Sequence, residues 1–167
     1  AMGVLKGKTS PNYNSVFVVS SESPIRMLYE VKAKRIAVSN PHSTSGFIVP
    51  QRELADIGIN LGNSSEFDEV IRVANHDEAL RAVIDGRVDV AALSSVNLEE
   101  AQREGVVQSG SLRVIHRSQD IPGAPLVCSR SLDRTTRELI KDIILHAHEF
   151  IDVGGYGGSM EYYLDPA

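Results

Sequence analysis

Residues 40–46 read Asn40-Pro41-His42-Ser43-Thr44-Ser45-Gly46. Three consecutive hydroxyls follow an apolar β-type run, Ile36-Ala37-Val38, and lead into a helical pattern over 47–57. The first N–H groups of a helix lack intrahelical partners, and its dipole presents partial positive charge at that end. Hydroxyls there add neutral donors. The combination suits capture of a small tetrahedral oxyanion, a phosphate or a phosphonate, without any Lys or Arg. Helix capping needs only one such hydroxyl. On these residues alone an ordinary cap and an anion site both stand open.

A second chemical position is His76, at the start of another helical pattern. Asn75 reads as its N-cap, and Glu78 three residues later completes a capping box. A helix N-terminus disfavours imidazolium, so a neutral His donating one N–H to a ligand oxygen is the functional reading, against a plain capping-turn residue. A Ser43–His76 or Ser45–His76 nucleophilic pair finds little support. Asp77 adjoins His76 and is badly placed to orient it, and no Gly-x-Ser-x-Gly elbow is present. No catalytic residue is therefore expected. His146 and His148 lie two apart on a helix and point to different faces, and His42, His76 and Cys128 show no metal spacing, so no metal site is expected. Cys128, in an apolar run, reads as a small core residue. The glycine-rich run 154–158 lacks the Lys-Ser/Thr of a phosphate loop and reads as loop, as does the tail after it.

The elements that must position these residues alternate. Strands are expected at 15–19, 35–39, 69–73, 88–93, 112–115 and 126–128. Helices are expected at 25–30, 43–57, 75–85, 97–104 and 131–150, with Gly58, Gly86 and Gly105 as stops. The 88–93 strand lacks alternation, as a strand buried on both faces does. The long last helix gathers Leu139, Ile140, Ile143 and Ile144 on one side. This order gives an α/β fold, an open and mainly parallel sheet flanked by helices. In such sheets ligands sit outside the carboxyl ends of strands. The turns at 40–45, 74–77 and 94–97 all lie there, so the hydroxyls, His76 and Ser94-Ser95 can converge on one crevice.

The 167 residues make one domain, or one with an appendage. No apolar run is long enough to span a membrane, and Ala1-Met2-Gly3 reads as a cloning scar. A net charge of −5 argues against a nucleic-acid partner. It also means that a bound anion is held by local dipoles. One cysteine excludes an internal disulfide.

Taken together, the chain resembles the phosphate/phosphite/phosphonate-binding periplasmic proteins of ABC transporters, a type 2 periplasmic-binding-protein family. The residues that carry this are Tyr13-Asn14-Ser15-Val16 with Ser23-Pro24-Ile25, then 40–50, where the Ser-Thr-Ser-Gly block is the most specific part. Asn75-His76-Asp77, Ala82-Val83, 86–91 and the 118–125 turn complete the set. The resemblance runs from about 13 to 150. It implies that Ser43, Thr44 and Ser45 hold the ligand oxygens, with His76 and Tyr13 completing the shell. It implies a periplasmic or extracytoplasmic location, a membrane permease as partner, no enzymatic activity and no cofactor. An oxyanion-sensing domain of a signalling protein is the alternative, and an enzyme on a phosphorylated substrate a more distant one.

Two departures from the family pattern bear on ligand. Members that bind aminoalkylphosphonates carry carboxylates at places that here correspond to Val96 and Ala124. A buried ammonium without a carboxylate is penalised, so phosphate, phosphite or a simple alkylphosphonate is expected. The third departure is length. The segment that would build most of a first lobe is not in this sequence. The expected division is a leading segment at 1–12, an oxyanion-binding lobe with hinge strands at 13–130, and a returning helix with tail at 131–167. Such a chain would be an excised fragment or a natural half-receptor, with an uncovered face open to self-association.

Overall fold

The computed structural model describes residues 3–7, 12–150 and 160–164. The glycine-rich run 154–158 and residues Ala1 and Met2 lie outside them. Two compact units emerge, Asn14–Gln119, and Ala1–Tyr13 together with Asp120–Ala167.

The unit of Ala1–Tyr13 and Asp120–Ala167 contains β1 (Gly3–Gly7) and β2 (Asn12–Tyr13), and the chain then enters the Asn14–Gln119 unit at β3 (Ser15–Ser20). There it forms β4 (Arg35–Val38), α1 (Val49–Asp56), β5 (Glu69–Arg72), α2 (His76–Ile84), β6 (Val90–Ser94), α3 (Ser95–Arg103) and β7 (Leu112–Arg117). The five strands of this unit form one sheet in the order β5-β4-β6-β3-β7. β4 runs parallel to both β5 and β6, and β3 runs antiparallel to both β6 and β7. The expected open α/β sheet flanked by helices is present, and it is mixed. β3 reaches the sheet without a preceding helical crossover, so its direction was not set by the strand–helix alternation that fixes β4, β5 and β6.

Apolar residues on both faces of the strands explain why helices cover both sides. Val16, Val18, Ala37, Ala91 and Leu93 pack with Leu80 and Val83 of α2 and Leu98 of α3. Phe17, Val19, Ile36, Val38, Val90 and Ala92 pack on the other face with Leu54 of α1. Successive strand residues point to opposite faces, so continuous apolar runs give two cores. Arg35 and Asp89 tie β4 to the start of β6: Arg35 Nη2 lies 2.8 Å from Asp89 Oδ1, and the Arg35 backbone N–H donates to Asp89 Oδ2 at 2.9 Å. These bonds hold the Asp89 carboxyl below its ordinary pKa.

One local expectation changes in this unit. The 25–30 helix is a single 3₁₀ turn, Leu28–Val31. The Arg113 guanidinium draws the carbonyls of Ser21, Ser23 and Ile25 to itself at 2.6 to 2.8 Å, which removes Ile25 from any helical ladder. Gly86 (φ +68°) ends α2, as its placement suggested.

The other unit holds β8 (Ile121–Pro122), β9 (Pro125–Leu126), α4 (Arg134–His146) and β10 (Met160–Leu164). β1 lies between β10 and β9, and β2 pairs with β8. The tail at 160–164 is thus a strand and not loop. Its Met-Glu-Tyr-Tyr-Leu pairs with β1 in a register that is legible only once β1 is known. The expected 126–128 strand is shorter and earlier, which leaves Cys128 half-buried and outside the core. α4 is capped by Asp133, whose carboxylate accepts the Thr136 N–H at 2.9 Å. Its apolar stripe is only partly covered. Leu139 and Ile143 are each 59% exposed, while Ile140 and Ile144 are half-buried.

α1 carries the hydroxyl turn, and Leu54, fully buried, anchors it to the sheet. Leu54→Ala should lower the unfolding free energy by about 2–5 kcal/mol, read from the urea midpoint by circular dichroism.

Candidate functional site

β4, β5 and β6 are parallel and in register, Val38 opposite Arg72 and Ala37 opposite Ala91. Their carboxyl ends therefore open on one edge of the sheet. The hydroxyl turn follows β4, His76 follows β5 and Ser94 ends β6.

The turn after β4 is not a regular helix start. Thr44–Ile48 forms a wide π turn that runs on into α1. The Ile48 N–H reaches back five residues to the Ser43 carbonyl at 3.0 Å, and the Val49 N–H reaches the Thr44 carbonyl. Such wide turns are uncommon and concentrate at functional sites. Ser43 is the cap, its Oγ accepting the Gly46 N–H at 3.1 Å. Among the described residues, the N–H groups and hydroxyls of Thr44 and Ser45 make no hydrogen bond. This turn therefore presents unpaired donors of the kind that an anion takes.

Gly46 is required by close approach. A Cβ at this position would stand 2.3 Å from Ser39 Oγ and 2.8 Å from Ser43 Oγ. The Gly46 carbonyl accepts the Ser39 N–H at 2.9 Å. Ser39 is buried, and its hydroxyl has no partner among the described residues.

His76 is the first residue of α2. Asn75 caps the helix, accepting the Glu78 N–H at 2.9 Å, and Glu78 Oε2 accepts the Ala74 N–H at 2.8 Å, one residue earlier than a strict capping box. The Ser94 backbone N–H donates to His76 Nδ1 at 3.4 Å. An N–H can only donate, so Nδ1 is the acceptor and Nε2 carries the proton. Burial lowers the His76 pKa, with Asp77 opposing weakly. The neutral, Nε2-protonated ring has its one lone pair committed to Ser94, so it cannot serve as a base toward Ser43 or Ser45.

β6 is thus the meeting point of the expected site. Its last residue holds His76, and it packs against the Thr44–Ile48 turn. Tyr13 lies in the other unit, half-buried in β2 opposite Ile121. Val96, the second residue of α3, is half-buried, and Ala124 is exposed between β8 and β9. Sequence reasoning missed Arg72. This last residue of β5 stacks its guanidinium 4.8 Å from the centre of the Phe47 ring, so a cation stands beside the turn after all. Its position at a strand end was the available signal. Among the described residues no three His, Cys, Asp or Glu side chains gather as metal ligands.

An open α/β sheet with donor-bearing turns along one carboxyl edge is the architecture of a lobe of a periplasmic solute-binding protein, and solved structures share it. A binding protein component of an ABC phosphonate transporter from Pseudomonas aeruginosa superposes with a TM-score of 0.77 at 21% identity, over 96% of this chain and 55% of that one. PhnD1 from Prochlorococcus marinus, in complex with methylphosphonate, gives 0.77 at 16% identity, over 98% of this chain and 65% of that one. In sequence, the phosphonates-binding periplasmic protein of Escherichia coli K12 is 34% identical over 141 residues, which is 82% of this chain. The chain spans 41% of that relative's length. Residues 1–152 match the family of ABC transporter, phosphonate, periplasmic substrate-binding proteins, and the chain belongs to that family.

Two outcomes test this geometry. Gly46→Ala should cost about 1–3 kcal/mol or more through forced displacement of Ser39, measured by chemical denaturation. The lowered His76 pKa also has a pH signature. Below about pH 6.5 the unfolded chain takes up a proton that the folded chain refuses, so stability falls as pH drops through this window toward the folded value. His76→Gln should lack this component, and thermal melts between neutral and mildly acidic pH should therefore decline less steeply for the variant than for the wild type.

Proposed function

We propose that this chain carries the oxyanion-holding part of the solute-binding component of an ABC uptake system for a small phosphorus oxyanion: phosphonate, phosphite or phosphate. The observation that carries the reading is the wide turn at 44–48, where two backbone N–H groups and two hydroxyls have no partner among the described residues, at the sheet end that also bears His76. The ligand oxygens take the Thr44 and Ser45 N–H groups and the hydroxyls of Ser43, Thr44 and Ser45. The Nε2–H of His76 supplies a further neutral donor. Arg72 adds long-range attraction.

Holding an anion mainly by neutral donors and dipoles suits reversible capture, because release leaves no buried charge unpaired. In the full receptor, capture is coupled to closure of a cleft and handover to a membrane permease, on the periplasmic or extracytoplasmic side. The protonation of His76 supports binding without turnover, since its one lone pair is committed to the Ser94 N–H. Val96 offers no carboxylate for an ammonium tail, which favours small or apolar substituents on phosphorus.

Isothermal calorimetry with methylphosphonate, phosphite, phosphate, aminoethylphosphonate and sulfate tests this. Methylphosphonate should bind, and Ser45→Ala and His76→Ala should each weaken it about tenfold, the worth of one hydrogen bond to a charged group. Aminoethylphosphonate should bind at least several-fold more weakly. Equal affinity for the two phosphonates would overturn the tail assignment, and indifference to both substitutions would overturn the site.

A further inference from the structure

We propose that Ser15 is a positioning residue that holds the oxyanion turn in its wide register and aims the Ser43 hydroxyl. The inference rests on the oxyanion reading of that turn.

Ser15 opens β3, directly opposite Ser94 in the sheet, and is fully buried. Its hydroxyl donates to the Ser45 carbonyl at 2.7 Å. In an α-helix that carbonyl would accept the Val49 N–H, four residues on. The Val49 N–H goes to Thr44 instead. The next carbonyl, Gly46, would look to residue 50 for its helical donor. Residue 50 is proline, without an N–H, and the Gly46 carbonyl takes the Ser39 N–H. Two successive carbonyls are therefore withdrawn from the helical ladder. Pro50 accounts for one, and the Ser15 hydroxyl accounts for the other.

Ser15 is itself rigidly held. Its N–H donates to Ser118 Oγ at 3.0 Å, and its carbonyl accepts the Ser118 N–H at 2.9 Å. The Ser45–Gly46 peptide is thus clamped at both ends, its oxygen by Ser15 and its N–H by Ser43 Oγ. The second bond occupies a lone pair of Ser43 Oγ and leaves that hydroxyl's proton free to donate elsewhere. Hydrogen bonds in series polarise one another. Donation from Ser15 into the carbonyl therefore strengthens the Gly46 N–H, and through it the Ser43 O–H, as a donor to an anion. Without the Ser15 hydroxyl, the Ser45 carbonyl is free to take the Val49 N–H, and the turn closes toward α-helical register.

The test compares Ser15→Ala, Ser15→Cys, Ser15→Thr, Ser43→Ala and the Ser15→Ala/Ser43→Ala double variant. Two readouts are used: calorimetry with methylphosphonate, and the amide resonances of Gly46 and Val49 in ligand-free protein. Ser15→Ala should weaken binding about tenfold and shift both amides. Ser15→Cys, close in size but a weak donor, should do the same with the fold intact, and Ser15→Thr should restore both readouts. The double variant should bind no more weakly than Ser43→Ala alone, the coupling expected of groups acting in series. Additive losses, a fall in melting temperature with affinity unchanged, or unmoved Gly46 and Val49 resonances would overturn the proposal. Shifted resonances with no methylphosphonate binding, or with binding indifferent to Ser43→Ala, would instead overturn the oxyanion reading and leave the register assignment standing.

Discussion

The contact between Gly46 and Ser39 is the constraint on which the site depends. Backbone lies where any side chain would collide, since a Cβ on Gly46 would run into the buried Ser39 hydroxyl. That proximity lets the Ser39 N–H take the Gly46 carbonyl and draws the turn down onto the end of β4. Everything above it follows. The wide turn can form because a carbonyl that a helix would use is engaged below. Thr44 is then exposed and Ser45 buried, and among the described residues the N–H and hydroxyl of each stay unspent. Leu54, one helical segment later, fixes the direction in which α1 leaves.

The chemistry of this edge is economical in charge. The turn holds no ionisable side chain, His76 is kept neutral by burial and by the Ser94 N–H, and Arg72 engages the Phe47 ring rather than a carboxylate. In a protein with net charge −5 the proposed hold on an anion rests chiefly on short-range, geometric donors, with Arg72 the one cation beside the turn among the described residues. Such attraction depends on donors being held in place before the ligand arrives, since water competes for each of them. The buried serines beneath the turn, which carry no charge and contact no solvent, do that holding.

Much of this was legible in the sequence, and the reasons differ by element. The hydroxyl turn was visible because three hydroxyls exceed what capping needs. The α2 start was visible because Asn75 and Glu78 have local, short-range tasks. Strands buried on both faces announced themselves by apolar runs without alternation. What sequence could not show were the effects of distant partners. The direction of β3 depends on β6 and β7. The wide turn depends on Ser15, thirty residues earlier, taking a carbonyl that helix periodicity assigns to Val49. β10 depends on pairing with β1, more than 150 residues away. The four apolar residues of α4 promised a buried stripe, yet Leu139 and Ile143 stand largely open, because periodicity reports the existence of an apolar face and not what covers it.

The Asn14–Gln119 unit is one continuous stretch, and the chain enters and leaves it through neighbouring strands. The two ends are bonded to each other: the Ser118 N–H meets the Ser15 carbonyl at 2.9 Å, and the Asn14 side-chain amide meets the Ser118 carbonyl at 3.1 Å. A segment whose ends already touch behaves as an insertion, separable from its host without stretching the backbone. The hydroxyl turn and both cores of this unit are in this sense portable. They could be excised as a self-contained module, or grafted into any scaffold loop whose ends lie one strand spacing apart, roughly 5 Å.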